Sequence, residues 1–381
     1  MSRVRREGSM KRKAANVDFA KPFSSSAAHS YTLPAEYYQS VGVFEQEKSA
    51  IFFRDWWYVC HRSRVNRPGS YVTVQIHEQS VFVTRSRNGN LQAFYNVCQH
   101  RGHELLGGAG SVESIVCPYH GWRYELNGQL RYARNSDGVQ GFEKCQFSLK
   151  PVRVEEYAGM VFVNIDGQSQ SLALKASGLE AELRDYVPEL DKLIFAHRHQ
   201  YEVQANWKVL IDNFLECYHC HTAHHDFVDM VDMSTYRSKI AGVYSSHIST
   251  GMPKTTSSAY TIANATFSYA GWYLWPNLSI WVMPGEPNFL TLQMIPLGPD
   301  KTVEYLDWYL IDKKPSKQIL AAMKYLDEVL QPEDIGLCES VQRGLNSFGY
   351  DQGRFIVDKE ETESSEHAVH HFQRLVLDAL T

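Results

Sequence analysis

Cys98-Gln99-His100 and Cys117-Pro118-Tyr119-His120, separated by sixteen residues, constrain this chain more than any other feature. Two thiolates and two imidazoles on two short loops suit a [2Fe–2S] centre in which the Cys pair holds one iron and the His pair the other. Tetrahedral zinc takes the same ligand types. Zinc fingers, however, group Cys with Cys and His with His, whereas each half here is mixed. Gly102, Gly107, Gly108 and Gly121 flank the motifs, giving tight turns where backbone must approach sulfide closely. Backbone N–H groups aimed at the cluster sulfurs would tune its potential. Cys98, His100, Cys117 and His120 are therefore read as ligands of a Rieske-type cluster.

The surrounding pattern is that of an antiparallel β module. Short β-branched and aromatic runs at 70–77, 80–87 and 91–97 are punctuated by Asn88-Gly89, and a later pair by Asn127-Gly128, both hairpin signals. Before them, apolar residues around Val43, Phe44, Ile51 and Phe52 recur at helical spacing. The predicted organisation is a flexible tail (1–30), a helix packing with the second domain (31–57), a Rieske domain (58–170), an acidic helical connector (171–194) and that second domain (195–381). That last part starts as strand and helix, continues as antiparallel strands and ends in two helical segments, 315–345 and 364–379. The fold class is α+β: an N-terminal antiparallel β domain, then a helix-grip domain whose sheet wraps long helices.

With 381 residues, 44% of them hydrophobic, there is enough chain for two cores. A net charge of −5 gives no reason to expect nucleic acid or an anionic membrane as partner, and no apolar run is long enough to span a bilayer. The basic first residues lack an apolar h-region, so a cytoplasmic location is predicted. Five cysteines outside the cluster motif (Cys60, Cys145, Cys217, Cys220 and Cys338) show no disulfide framework, as in a reducing cytosol. Cys217 and Cys220 do have the spacing of a redox dithiol.

The second domain needs a purpose beyond electron carriage. Glu216-Cys-Tyr-His219-Cys-His-Thr-Ala-His224 supplies material for a mononuclear Fe(II) site, which takes two His and one carboxylate on one face of the metal. His221 and His225, four apart, would share a helical face. His219 and His224, five apart, are offset by about 140° on a regular helix. Spacing alone mildly favours His221 and His225.

The segment NWKVLIDNFLECYHCHTAH (206–224), with FYNVCQHRGHELL and CPYHGWRYELNG, resembles the Rieske ring-hydroxylating oxygenases. That resemblance implies His219 and His224 as iron ligands, with the helix ending or loosening between them. QPEDIGLCE (331–339) resembles the family segment carrying the third ligand, which implies Asp334; otherwise Glu333 and Asp334 would merely favour a helix N-terminus. Glu216 matches the family's bridging carboxylate, linking a cluster His of one subunit (His120) to His219 of the next. Many ring dioxygenases have Asp there. The resemblance covers nearly the whole chain and is closest to the group containing the carnitine monooxygenase oxygenase component and related quaternary ammonium oxygenases. It implies a [2Fe–2S] cluster, mononuclear Fe(II), O2, a small-molecule substrate, electrons from NADH or NADPH through a flavin and [2Fe–2S] reductase, and a homotrimer.

Trp272, Tyr273, Trp275 and Trp281, with Tyr269, are candidate substrate-binding residues, because aromatic faces attract trimethylammonium groups. Core packing is the competing reading, and strand alternation sends only half of them inward. An aromatic substrate would favour the same lining, so an aromatic-ring dioxygenase or O-demethylase stays open, as does an electron carrier whose second domain is structural.

Overall fold

A computed structural model describes residues 19–251, 257–262 and 269–381. Most of the predicted tail (1–18) lies outside the described residues. Residues 19–30 are not a loose tail: the Phe23 ring stacks on His370 of the last helix at 4.8 Å, and the Lys21 N–H donates to Gln352.

The predicted N-terminal helix is shorter than its pattern. It runs Val41–Glu47, continues as a wide turn over Lys48–Phe52 and gives way to the strand Trp57–His61. Ser40 caps it, its hydroxyl accepting from the Val43 N–H. Its Glu47 is fully buried, 2.5 Å from the equally buried Lys208 and accepting from the Trp207 indole. Removing one partner of such a pair costs about 3–5 kcal/mol, because the other charge stays buried alone. This pair ties the N-terminal segment to the second domain.

The first module is a seven-stranded antiparallel sheet in the order Trp57–His61, Met160–Asn164, Pro151–Tyr157, Leu91–Tyr95, Gln79–Arg85, Ser70–Ile76, Ala109–Ser111. Gly89 (φ +84°) and Gly128 (φ +83°) take the left-handed conformation that their Asn-Gly turns require. A small sheet of Ile115–Val116, Arg123–Tyr124 and Leu130–Tyr132 extends from it. Short helices Leu172–Lys175 and Leu179–Tyr186 connect to the second module.

The second module is another seven-stranded antiparallel sheet, ordered Ile194–Val203, Lys301–Leu310, Asn288–Gly298, Leu278–Val282, Ala270–Leu274, Tyr244–Ser249, Tyr236–Ala241. Alternation divides its side chains cleanly. Leu290, Leu292, Met294, Leu306 and Trp308 share one buried cluster with Trp207, Leu210 and Phe372 of the helices Trp207–Phe214 and His367–Leu380. Trp272, Leu274, Ile280, Phe289 and Tyr309 face the other way, onto the connector and the first module. The helix-wrapping face holds the candidate site.

Candidate metal centres and substrate cavity

The two cluster motifs fold into matched turns. The Gly102 N–H donates to the Cys98 carbonyl and the Gly121 N–H to the Cys117 carbonyl, both at 3.0 Å. The Cys98 and Cys117 N–H groups return to the carbonyls of His103 and Trp122, both at 2.8 Å. Gly102 (φ +75°) and Gly121 (φ +73°) make these turns possible. Each Cys is 2% exposed, while Nδ1 of His100 and Nδ1 of His120 face each other at 3.1 Å nearer the surface. Tyr124 Oη lies 3.2 Å from Cys98 Sγ, and the Trp122 ring stacks on His100 at 4.7 Å. Two inward sulfurs and two outward imidazoles fit a [2Fe–2S] cluster with its His-bound iron toward solvent.

In the second module Asn206 caps the helix Trp207–Phe214, its side chain accepting from the Lys208 N–H. The helix stops at Leu215, a turn carries Glu216 to His219, and a short helix spans Cys220–Ala223. At His224 (φ −118°, ψ 62°) the backbone leaves helical geometry before the helix His225–Met230. That break removes the angular obstacle to pairing residues five apart. His219 Nε2 and His224 Nε2 lie 3.1 Å apart, and Asp334 Oδ1 lies 2.9 Å from His224 Nε2 and 3.5 Å from His219 Nε2. His221 and His225 are exposed, away from this cluster.

Asp334 arrives on the helix Gln331–Leu345, which follows the helix Lys317–Tyr325 through a wide turn over Leu326–Leu330. Pro332 has no N–H to donate into the preceding turn, which removes one regular helical bond there. Wide turns of this kind recur at functional sites.

Carboxylates hold the far side of each imidazole. Glu216 Oε1 is 2.5 Å from His219 Nδ1, and Glu333 Oε2 is 2.7 Å from His224 Nδ1. Sequence reasoning had left Glu333 a helix-terminus acid. Burial alone would raise the Asp334 carboxyl, but the hydrogen bonds from His219 and His224 outweigh it and bring it down to about 2. Burial likewise disfavours a charged His219, yet its bonds to Asp334 and Glu216 take it up to about 10. Three carboxylates around two imidazoles leave excess negative charge that a dication would offset by displacing the imidazole protons. The donor set, two nitrogens and one oxygen on one side of a shared point, fits a mononuclear iron with open positions. Among the described residues no hydrogen bond joins His120 to Glu216 within one chain.

Beside the cluster opens a cavity walled by Phe214, Tyr236, Tyr269, Trp281 and Met294. Of the five aromatic candidates Tyr269 and Trp281 line it, and Trp272, Tyr273 and Trp275 do not. Trp272 is on the opposite face of the sheet, its indole donating to Glu182 at 3.1 Å. Tyr273 donates to the Pro276 carbonyl and meets Phe372, while Trp275 donates to Asp55. The cavity also meets Glu304, which is 4% exposed and whose Oε2 has no hydrogen-bond partner among the described residues. Its signal was a lone acid on the strand face of Leu306 and Trp308.

Cys217 and Cys220 correct the expectation of reduced thiols: they form a disulfide, their Cα atoms held 4.9 Å apart by the turn that carries His219.

The Rieske [2Fe-2S] domain family matches residues 55–143, and the catalytic domain family of ring-hydroxylating alpha subunits matches residues 190–381. The carnitine monooxygenase oxygenase subunit of Escherichia coli (strain K12) is 36% identical over 364 residues, 94% of this chain and 97% of that protein. The chloroplastic choline monooxygenase of Arabidopsis thaliana is 30% identical over 358 residues, 91% of this chain and 82% of that protein. A solved structure of a quaternary ammonium Rieske monooxygenase superposes with a TM-score of 0.89 at 35% identity, covering 94% of this chain and 98% of that one. The likeness runs through both modules, and on that ground the chain belongs to the Rieske-type ring-hydroxylating oxygenase alpha-subunit family and is an oxygenase.

Proposed function

We propose that this chain is the oxygenase component of a two-component monooxygenase. Its substrate is a small quaternary ammonium compound of the carnitine, betaine or choline type, hydroxylated at a carbon beside the nitrogen, with C–N cleavage or N-demethylation following. Electrons come from NADH or NADPH through a flavin and [2Fe–2S] reductase. Cys98, His100, Cys117 and His120 would hold a [2Fe–2S] cluster, and His219, His224 and Asp334 a mononuclear iron. When bound, these groups supply one-electron transfer and O2 activation.

Glu216 and Glu333 fix the orientation of His219 and His224 by accepting from their Nδ1–H groups, so that both Nε2 atoms are presented to the metal. In a head-to-tail homotrimer, whose heterologous contacts a ring closes, Glu216 of one subunit would also meet His120 of the next. Phe214, Tyr269 and Trp281 wall the cavity; they would exclude water and offer aromatic faces to a trimethylammonium group, each face contributing about 0.5–2 kcal/mol.

The aromatic cavity opening on the His219–His224–Asp334 cluster is the observation that carries this reading. The names of the similar carnitine and choline oxygenases favour a quaternary amine over an arene as its occupant. Substrate-dependent oxygen uptake with a reductase supplied, followed by product analysis, tests it. Turnover of carnitine, γ-butyrobetaine, choline or glycine betaine is the expected result. Turnover of benzoate or naphthalene alone would overturn it.

A further inference from the structure

Glu304 has no role in the metal chemistry described above, yet it sits in the same cavity. It is 4% exposed, and Oε2 finds no hydrogen-bond partner among the described residues. A buried carboxylate oxygen left unpaired is costly, and such groups are ordinarily matched by a donor or a cation. Register places Glu304 beside Met294 on one neighbouring strand and Tyr201 on the other. Met294 lines the cavity with it. The other acids at the cavity are engaged: Asp334 with both imidazoles, Glu216 with His219. Among the described residues lining the cavity there is no Lys or Arg.

A quaternary nitrogen carries a positive charge but no N–H, so directional hydrogen bonds cannot recognise it. It is held by aromatic faces and by an unscreened negative charge in a dry wall, where Coulomb attraction is several times stronger than in water. Phe214, Tyr269 and Trp281 provide the faces, and Glu304 brings a buried carboxylate oxygen that has no hydrogen-bond partner among the described residues.

We propose that the Glu304 carboxylate is the counter-charge for the substrate's quaternary ammonium nitrogen and sets the preference for a cation over a neutral molecule of the same shape. This rests on the quaternary ammonium reading above. Burial and the nearby Asp334 carboxylate push Glu304 up to about 8 without a cation, so the carboxyl gives up its proton to solvent as the quaternary nitrogen arrives.

The experiment uses holoprotein with both iron centres loaded. Binding of tetramethylammonium, choline and γ-butyrobetaine is measured by calorimetry beside 3,3-dimethylbutan-1-ol, the neutral carbon isostere of choline. Wild type should prefer at least one cation over the isostere by about tenfold or more. E304Q and E304M should erase that preference by weakening the cation alone, and E304D should restore part of it. Both charge-removing variants should melt close to wild type, since Glu304 Oε2 makes no hydrogen bond for them to break; a purely structural Glu304 would lower the melting temperature and weaken all ligands alike. A cation preference that survives in E304Q and E304M overturns the Glu304 role and leaves the function proposed above standing. Wild type that binds none of the cations overturns both. Should E304Q fail to fold, E304M and E304D give the same decision.

Discussion

Glu333 Oε2 lies 2.7 Å from His224 Nδ1, while Asp334, the next residue on the same helix, faces the opposite ring nitrogen at 2.9 Å. One imidazole is thus gripped from both sides by adjacent acids of a single helical turn. Glu216, on the turn after the helix Trp207–Phe214, holds His219 at Nδ1, and Asp334 faces its Nε2 at 3.5 Å. The two histidines cannot rotate without breaking a charge-assisted bond, which fixes the direction of both Nε2 atoms before any metal arrives.

E333Q should weaken iron retention at the mononuclear site by roughly 10–100-fold, the usual cost of losing a carboxylate behind a ligating histidine. Residual iron after dialysis against graded chelator measures it. The Rieske absorption spectrum serves as the internal control and should not change. Retention equal to wild type would make Glu333 a bystander.

Trp281 and Trp272 are near neighbours in sequence that strand pairing puts on opposite faces of the sheet. W281A should raise KM for the substrate by about tenfold through the lost aromatic face. W272F should leave KM unchanged and lower only thermal stability, since its indole bonds Glu182 outside the cavity. Steady-state kinetics on the two variants separates them, and equal KM effects would contradict the face assignment.

Stability should fall in acid for a reason separate from the metals. Burial takes His247 down to about 3 and His61 down to about 4, against an ordinary value near 6.5. Between those limits the unfolded chain binds protons that the folded chain refuses, so stability rises with pH across that window and is lost as pH drops below 6.5. Each histidine contributes about 1.4 kcal/mol per pH unit there. Denaturant midpoints at pH 7.5 and 5.5 measure the loss, and H247N should shrink it. An identical pH dependence in H247N would contradict the assignment.

The cluster motif was legible because short Cys–His spacings with a following glycine dictate a local turn whatever the rest of the chain does. Strands around Asn88-Gly89 and Asn127-Gly128 were legible for the same local reason. The His pair was legible only through the family resemblance: residues five apart clash with helical periodicity, so spacing favoured His221 and His225, and the non-helical His224 backbone reconciles the pair. Parity defeated the aromatic candidates, because alternation says that Trp272 and Tyr273 face opposite ways but not which way is inward. The Cys217–Cys220 bond depends on the turn after Leu215, which the preceding helical pattern concealed. Glu333 was hidden by its neighbour, since either of two adjacent acids can supply a ligand.

Metal analysis with electron paramagnetic resonance on wild type and H224A tests most directly whether one chain carries two distinct iron centres. Wild type should hold the two cluster irons plus one mononuclear iron, and H224A should lose only the last while its reduced Rieske signal persists and turnover stops. Zinc at either place, or an iron content that H224A leaves unchanged, would contradict it.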